Sequence, residues 1–165
     1  MKRIGLLSDT HGYLDDRIID FLTECDEVWH AGDIGTMEIL EKLERLQLFR
    51  GVYGNIDGHK IRSAIPEVQR FRCEETEVLI KHIGGYPGRY DRTMIPYLKG
   101  EKLNLVITGH SHILKVIYDK KYGFLHINPG AAGIQGFHKI RTLVRFTINR
   151  DEISNLEVIE LGGRR

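Results

Sequence analysis

The sequence predicts one α/β domain, residues 1–165, built as two packed sheets flanked by helices. Three observations predict it. Up to about residue 55 the chain repeats an order of short apolar run, polar loop and amphipathic segment. Beyond that it reads as short strands separated by tight turns. At 165 residues, 41% of them hydrophobic, the chain is long enough to bury one sizeable core.

The elements follow in order. Residues 4–8, IGLLS, form an apolar run stopped by Asp9, the length of a strand buried on both faces. Leu14, Ile18, Ile19 and Leu22 then recur at helical spacing, with Phe21 beside them. Residues 27–30 read as a second strand, and Ile39, Leu40, Leu43 and Leu46 mark a second helix. Residues 48–54 give a third strand and a glycine turn. Such strand–loop–helix repetition predicts parallel strands. Strands are next expected at 66–73 and 77–83 around the turn CEET, a helix over about 90–99, and a buried strand at 104–108. Strands at 113–119, 122–127, 141–148 and 152–160 would be joined by Asp-Lys-Lys, Asn-Pro-Gly and Asn-Arg-Asp hairpin turns. No internal repeat or linker interrupts the chain.

Composition narrows the function. Lys plus Arg total 24 against 23 for Asp plus Glu, a formal charge of +1, so no extended nucleic-acid surface is expected. Cys25 and Cys73 rule out a disulfide-dense scaffold and fit a reducing compartment. Apolar runs fall well short of the roughly 20 residues of a membrane span. The opening MKRIGLLSD runs into a polar motif and makes a poor signal peptide. A cytoplasmic protein without membrane partners is the expectation.

Several of the 18 glycines stand beside Asp, His or Asn just after expected strands. In open α/β sheets, ligands bind outside the carboxyl ends of strands. The donors there are Asp9 and His11, Asp33, Asn55, His82, and His110 and His112. Residues two apart on an extended chain end can face one cavity. Two carboxylates, four imidazoles and an amide oxygen exceed the needs of one tetrahedral ion and suit two divalent cations sharing a carboxylate. With no cysteine in the set, manganese is the expected metal, and iron, zinc, nickel and cobalt are also compatible. No G-x-G-x-x-G opens the first strand–helix unit, which counts against dinucleotide binding.

SDTHG at 8–12, GD at 32–33, GNID at 54–57, GHSH at 109–112 and NPGA at 128–131 together resemble the calcineurin-like metallophosphoesterases, and more closely their small bacterial and archaeal phosphodiesterase branch. The resemblance covers residue 4 to about residue 130 and implies an αββα architecture. It implies that Asp9, His11, Asp33 and His112 hold one metal and that Asp33, Asn55, His82 and His110 hold the other, with Asp33 as the bridge. The implied reaction is phosphoester hydrolysis by a metal-activated water, with Asp33, Asn55 and His110 as catalytic residues. Ser8 and Ser111 are then a strand-end and a loop residue, not nucleophiles.

The chain also departs from the family. His82 is followed by Ile83 before Gly84, and Ile56 stands after Asn55, where relatives carry histidine or cysteine. The arginine clamps of the protein phosphatases have no counterpart beside Asp33 or Asn55. A small-molecule phosphodiester is therefore the expected substrate. The alternatives are a phosphomonoesterase, or a scaffold like the retromer subunit that resembles this family. GGYPGRYDR, residues 84–92, is the expected specificity loop, with Arg89 and Tyr86 as substrate-binding residues, and His59 reads either as a substrate-binding residue reaching the leaving group or as an exposed turn histidine. His30 reads either as orienting a ligating carboxylate or as a satisfied strand-end residue. Asp57 reads as bonding its own turn or as bracing His11 or Asn55. His126 and His138 read as strand and loop residues, and Trp29 as core. Self-association stays open.

Overall fold

The computed structural model describes residues 1–164. The first unit contains β1 (Lys2–Leu7), α1 (Asp16–Thr23), β2 (Glu27–His30), α2 (Met37–Leu46), β3 (Leu48–Gly51) and α3 (His59–Ala64). Asp15 and Thr36 start α1 and α2 by accepting the N–H of Ile18 and Ile39 on their side-chain oxygens. Then come β4 (Val68–Cys73), β5 (Thr76–Lys81), the short β6 (Gly85–Tyr86) and β7 (Arg89–Tyr90), α4 (Ile95–Leu98), β8 (Leu105–Ile107), β9 (Lys115–Asp119), β10 (Phe124–Asn128), β11 (Ile140–Asn149) and β12 (Glu152–Gly163).

Two five-stranded mixed sheets result, ordered β12-β11-β1-β2-β3 and β4-β5-β8-β10-β9. In the first, β1, β2 and β3 run parallel; in the second, β5, β8 and β10 do. Period-two alternation assigns each face. Ile4, Leu6, Val144, Phe146 and Ile148 point between the sheets, onto Val78, Ile80, Leu105, Ile107 and Ile127. Leu7, Val28 and Leu143 point outward onto Ile18, Leu22, Leu40 and Leu43 of α1 and α2. On the far side Leu79 and Val106 meet Met94 and Leu98. The layers are helix, sheet, sheet, helix, as expected.

Trp29 anchors the inter-sheet layer. It is fully buried, edge-on to Phe71 of one sheet at 4.9 Å and to Phe146 of its own at 5.8 Å. Its Nε1–H donates to Glu27 at 2.9 Å, so the indole's polar atom is satisfied inside the core.

Two local expectations are corrected, and one element went unread. Asn128-Pro129-Gly130 is a crossover rather than a hairpin turn, because β10 and β11 belong to different sheets. The expected helix over 90–99 begins later: Arg89–Tyr90 pairs with Gly85–Tyr86, Arg92–Met94 is a 3-10 turn, and only Ile95–Leu98 is α-helical. Gly88, with φ of +87°, permits the turn of that small hairpin. Helix α3 was not expected; six residues with one buried position carry too little periodicity to be read.

Trp29→Ala should cost roughly 3–5 kcal/mol of unfolding free energy, whereas Ile117→Ala on the exposed face of β9 should cost less than about 1 kcal/mol. Urea denaturation of both variants checks this. Near-equal losses would contradict the inter-sheet role of the indole.

Candidate metal centre

The carboxyl ends of the parallel strands converge. β1 runs into Asp9 and His11, β2 into Asp33, β3 into the turn bearing Asn55, β5 into His82, and β8 into His110 and His112. Backbone hydrogen bonds stitch these ends together. Asp9 N–H donates to Gly32 O at 3.0 Å, His11 N–H to Asp33 O at 3.0 Å, Gly109 N–H to His82 O at 2.9 Å, and Gly133 N–H to Asp9 O at 3.1 Å. The third bond joins the ends of β5 and β8 within the second sheet, and the last ties the crossover to the end of β1.

Five donors sit on left-handed backbone: Asp9, His11, Asp33, His110 and His112, with φ between 48° and 69°. Such backbone is uncommon outside glycine and costs roughly 1–2 kcal/mol per residue. It concentrates at sites where side-chain aim matters more than backbone comfort. Gly54 answers a steric demand beside them, since a Cβ there would overlap the Asp33 carboxylate.

All seven expected donors come together, in two clusters: Asp9, His11 and His112, and Asp33, His82 and His110. Asn55 joins the second, its Oδ1 lying 3.1 Å from His82 Nε2 and 3.0 Å from His110 Nδ1. Asp33 divides its oxygens. Oδ1 accepts from Ile56 N–H at 3.0 Å, while Oδ2 lies 3.2 Å from His82 Nε2 and 3.4 Å from His11 Nε2, one in each cluster. Asp9 Oδ2 accepts from Ser8 Oγ at 2.5 Å and His110 N–H at 3.2 Å; its Oδ1 is turned to the imidazoles.

Tautomers follow from the outer bonds. His82 Nδ1 lies 2.7 Å from Ala31 O, which can only accept, so Nδ1 carries the proton. The Nε2 lone pair is left facing Asp33 Oδ2. His138 Nε2 must likewise donate to Gly133 O, at 2.8 Å, leaving its Nδ1 to accept from His112 Nδ1–H at 3.2 Å. His112 Nε2 is thus a lone pair 3.1 Å from Asp9 Oδ1. Acceptor faces acceptor in both clusters, and Asp9 Oδ1 and His11 Nε2 are buried without a hydrogen-bond partner. A cation resolves this, and the N/O donor set fits a divalent transition metal.

Protonation takes the cation's part in the metal-free chain. The Asp9 carboxylate raises the His11 pKa against the opposing effect of burial. Burial lowers that of His82, but Asp33 and Asp9 reverse the sign and raise it. Burial works against ionisation of Asp9 and Asp33, yet the neighbouring imidazoles hold both below the usual carboxylate range.

The remaining residues are placed plainly. His30 accepts Gly32 N–H on Nδ1 and meets Thr10 Oγ1 with Nε2, both at 3.0 Å, bracing the loops after β1 and β2. Burial pushes its pKa down to about 4, so the ring is neutral. Asp57 bonds its own turn at Gly54 N–H and also Ile34 and Gly35 N–H, joining the Asn55 and Asp33 loops. Arg89 lines a groove with Pro87, Tyr90 and Tyr118 that contains none of the seven candidate donors. His59 is exposed beside Gly58 and Thr36, and Tyr86 carries the Lys115 ammonium 3.9 Å over its ring. Arg62 and His138 were not anticipated in these roles. Arg62 donates to the carbonyls of Gly54, Asn55 and Asp57. His138 reaches His112 across 26 residues. Neither belongs to a motif.

A family description, calcineurin-like phosphoesterase superfamily domain, matches residues 1–151. A "Probable metallophosphoesterase" of Methanothermobacter thermautotrophicus is 32% identical over 136 residues, covering 78% of this chain and 76% of that protein. Among solved structures, an archaeal phosphodiesterase superposes with a TM-score of 0.73 at 22% identity, covering 96% of this chain and 99% of its own. Vps29 from Entamoeba histolytica, solved with zinc, superposes with a TM-score of 0.73 at 17% identity, covering 97% and 98%. At these identities the two structures speak for the fold.

His138→Ala should weaken manganese binding by about 10–100-fold, the usual cost of losing an outer hydrogen-bond partner. His138→Gln, able to accept from His112 and donate to Gly133, should recover part of it. Calorimetric titration of metal-free protein reads both. The raised histidines also set a pH window. Their stabilisation is complete below the ordinary histidine pKa of about 6.5 and fades as pH rises through the raised folded values. Bound metal replaces those protons, so the Tm gap between manganese-loaded and metal-free protein should widen from about pH 6.5 upward. A flat gap across neutral pH would contradict the assignment.

Proposed function

Because this chain belongs to the calcineurin-like phosphoesterase superfamily, we propose that it is a divalent-metal-dependent hydrolase of small phosphodiesters, of the bacterial and archaeal phosphodiesterase branch, working with manganese in both clusters. The observation that carries the reading is Asp33 Oδ2, within 3.4 Å of a histidine nitrogen from each cluster. Asp9, His11, Asp33 and His112 would hold one ion, and Asp33, Asn55, His82 and His110 the other. When bound, the pair supplies Lewis acidity toward the phosphoester oxygens and toward water.

The chain's own residues hold and aim. Ser8 and the His110 N–H fix Asp9 Oδ2, Ile56 N–H fixes Asp33 Oδ1, and Ala31 O and His138 fix the tautomers of His82 and His112. Diesters are favoured by what the neighbouring groove of about 350 Å³ lacks in free cations. Arg62 is committed to three carbonyls of the Asn55 turn, and Lys81 Nζ to Ile83 O at 2.6 Å and Thr93 Oγ1 at 2.7 Å. The Ile56 side chain after Asn55 has no proton to give a leaving group. A monoester dianion asks for more clamping than these groups offer, whereas a diester with a good leaving group asks for less.

Burial of both cysteines as free thiols, pushed up to about 11 by desolvation, agrees with a reducing, cytoplasmic setting. Among the described residues no helix is long and apolar enough to cross a membrane. The edge strand β9, with Val116, Ile117 and Tyr118 exposed, supports the second reading, a protein-interaction surface or self-association.

With manganese saturating, kcat/KM for a diester should exceed that for the monoester with the same leaving group. A monoester preference of roughly tenfold, about 1.4 kcal/mol in the transition state, would reverse the substrate class. Asp33→Asn should lower the metal stoichiometry below two and lower the rate with it by more than about 100-fold, the upper range of an outer-partner loss. Full activity in a variant that holds one ion would overturn the two-metal reading.

A further inference from the structure

The ends of β8 and β10 and the β6–β7 hairpin enclose a small cavity of about 100 Å³ beside the metal donors. Its walls include Tyr86, His110, Ser111, Lys115, His126 and Asn128. His110 belongs to both places: it is a donor of the Asp33 cluster and a wall of the cavity. A group held here therefore sits next to the reacting phosphoester.

Two donors and one acceptor serve this cavity. Lys115 opens β9 with its ammonium 3.9 Å over the Tyr86 ring, and no carboxylate lies within 4.0 Å of it among the described residues. No aspartate or glutamate is among the cavity walls. His126 is fully buried, its Nε2 lies 3.0 Å from Thr108 Oγ1, and its Nδ1 is buried with no partner. Thr108 gives its only hydroxyl proton to Gly85 O at 3.2 Å, so Nε2–H donates to Thr108 Oγ1 and Nδ1 is a lone pair wanting a donor. Burial pushes the His126 pKa down to about 4, so the ring is neutral. Ser111 Oγ accepts from Asn128 Nδ2 at 3.1 Å and Ile113 N–H at 3.2 Å, which leaves its own proton free. Asn128 is itself spent, on Gly109 O, Ser111 Oγ and Gly130 N–H.

A cation and a hydroxyl, with no competing carboxylate, match a tetrahedral oxyanion, and the His126 Nδ1 lone pair can accept from the P–OH of a phosphate monoanion. The volume is that of about three water molecules, enough for one such group and too small for a nucleoside. We propose that this cavity is a subsite for a second phosphoryl group, so that the preferred substrates are phosphodiesters carrying an additional terminal phosphate. The cation–π contact makes Tyr86 a support for Lys115. This inference rests on the phosphoesterase reading and adds a substrate preference to it.

The test uses full-length, manganese-loaded protein and two nitrophenyl phosphodiesters that are identical except at one end of the non-aryl arm, phosphate in one and hydroxyl in the other. The wild type should show the higher kcat/KM on the phosphorylated ester, chiefly through KM. Lys115→Ala should reduce that preference by at least about tenfold, the loss expected for one charge-assisted contact, and Lys115→Arg should restore much of it. Inorganic pyrophosphate should inhibit better than orthophosphate in the wild type, and the difference should shrink in Lys115→Ala. If the wild type cleaves both esters equally, or the preference survives Lys115→Ala, the subsite is overturned and hydrolysis stands. If neither ester is cleaved, the phosphoesterase reading fails first.

Discussion

Asp9 and Asp33 are carboxylates almost wholly removed from water, at 0% and 2% exposure, and within reach of the same imidazoles. Burying one ionised group costs several kcal/mol unless it is compensated. Here both groups ionise readily, so the surroundings must supply the compensation. Much of the architecture can be understood as meeting that demand. Ser8, the His110 N–H and the Ile56 N–H each give a carboxylate oxygen a fixed donor. The other oxygen of each faces histidine nitrogens, where a proton or a divalent ion completes the charge balance.

That balance requires both sheets. Asp9, His11 and Asp33 come from strand ends of one sheet, while His82, His110 and His112 come from the other. The apolar layer around Trp29 therefore sets the distance between halves of the centre as well as the stability of the fold. Asp57 and His30 work within the first sheet, linking neighbouring loops through backbone N–H groups. The crossover after β10 closes the seam with Ala132 and Gly133 N–H on Ser8 and Asp9 carbonyls.

The two-sheet fold and the meeting of the seven candidate donors could be read from the sequence because each leaves a local trace. Buried strands are short apolar runs, and the donors follow them beside glycine. What escaped has no such trace. His138 acts on His112 through a contact that only the fold creates, and its neighbours Gly136 and Phe137 form no pattern with GHSH. Arg62 belongs to no motif, and only the folded turn directs its guanidinium inward to three carbonyls. Lys115 opens an edge strand, and its nearness to Tyr86 depends on how the β6–β7 hairpin folds over. The Asn-Pro-Gly turn misled for a related reason: turn chemistry fixes a change of direction, not whether the next strand joins the same sheet.

The left-handed backbone of Asp9, His11, Asp33, His110 and His112 also limits which amino acids these positions accept. Aspartate, asparagine and histidine are the non-glycine residues that enter this region most readily. They are also hard and borderline metal donors. The two alphabets overlap, so one short list of residues satisfies both chain geometry and coordination. Cysteine or glutamate would have to meet a conformational cost before any question of metal preference arose. Redesigning this centre for a softer ion would thus mean rebuilding the loops first and exchanging side chains second.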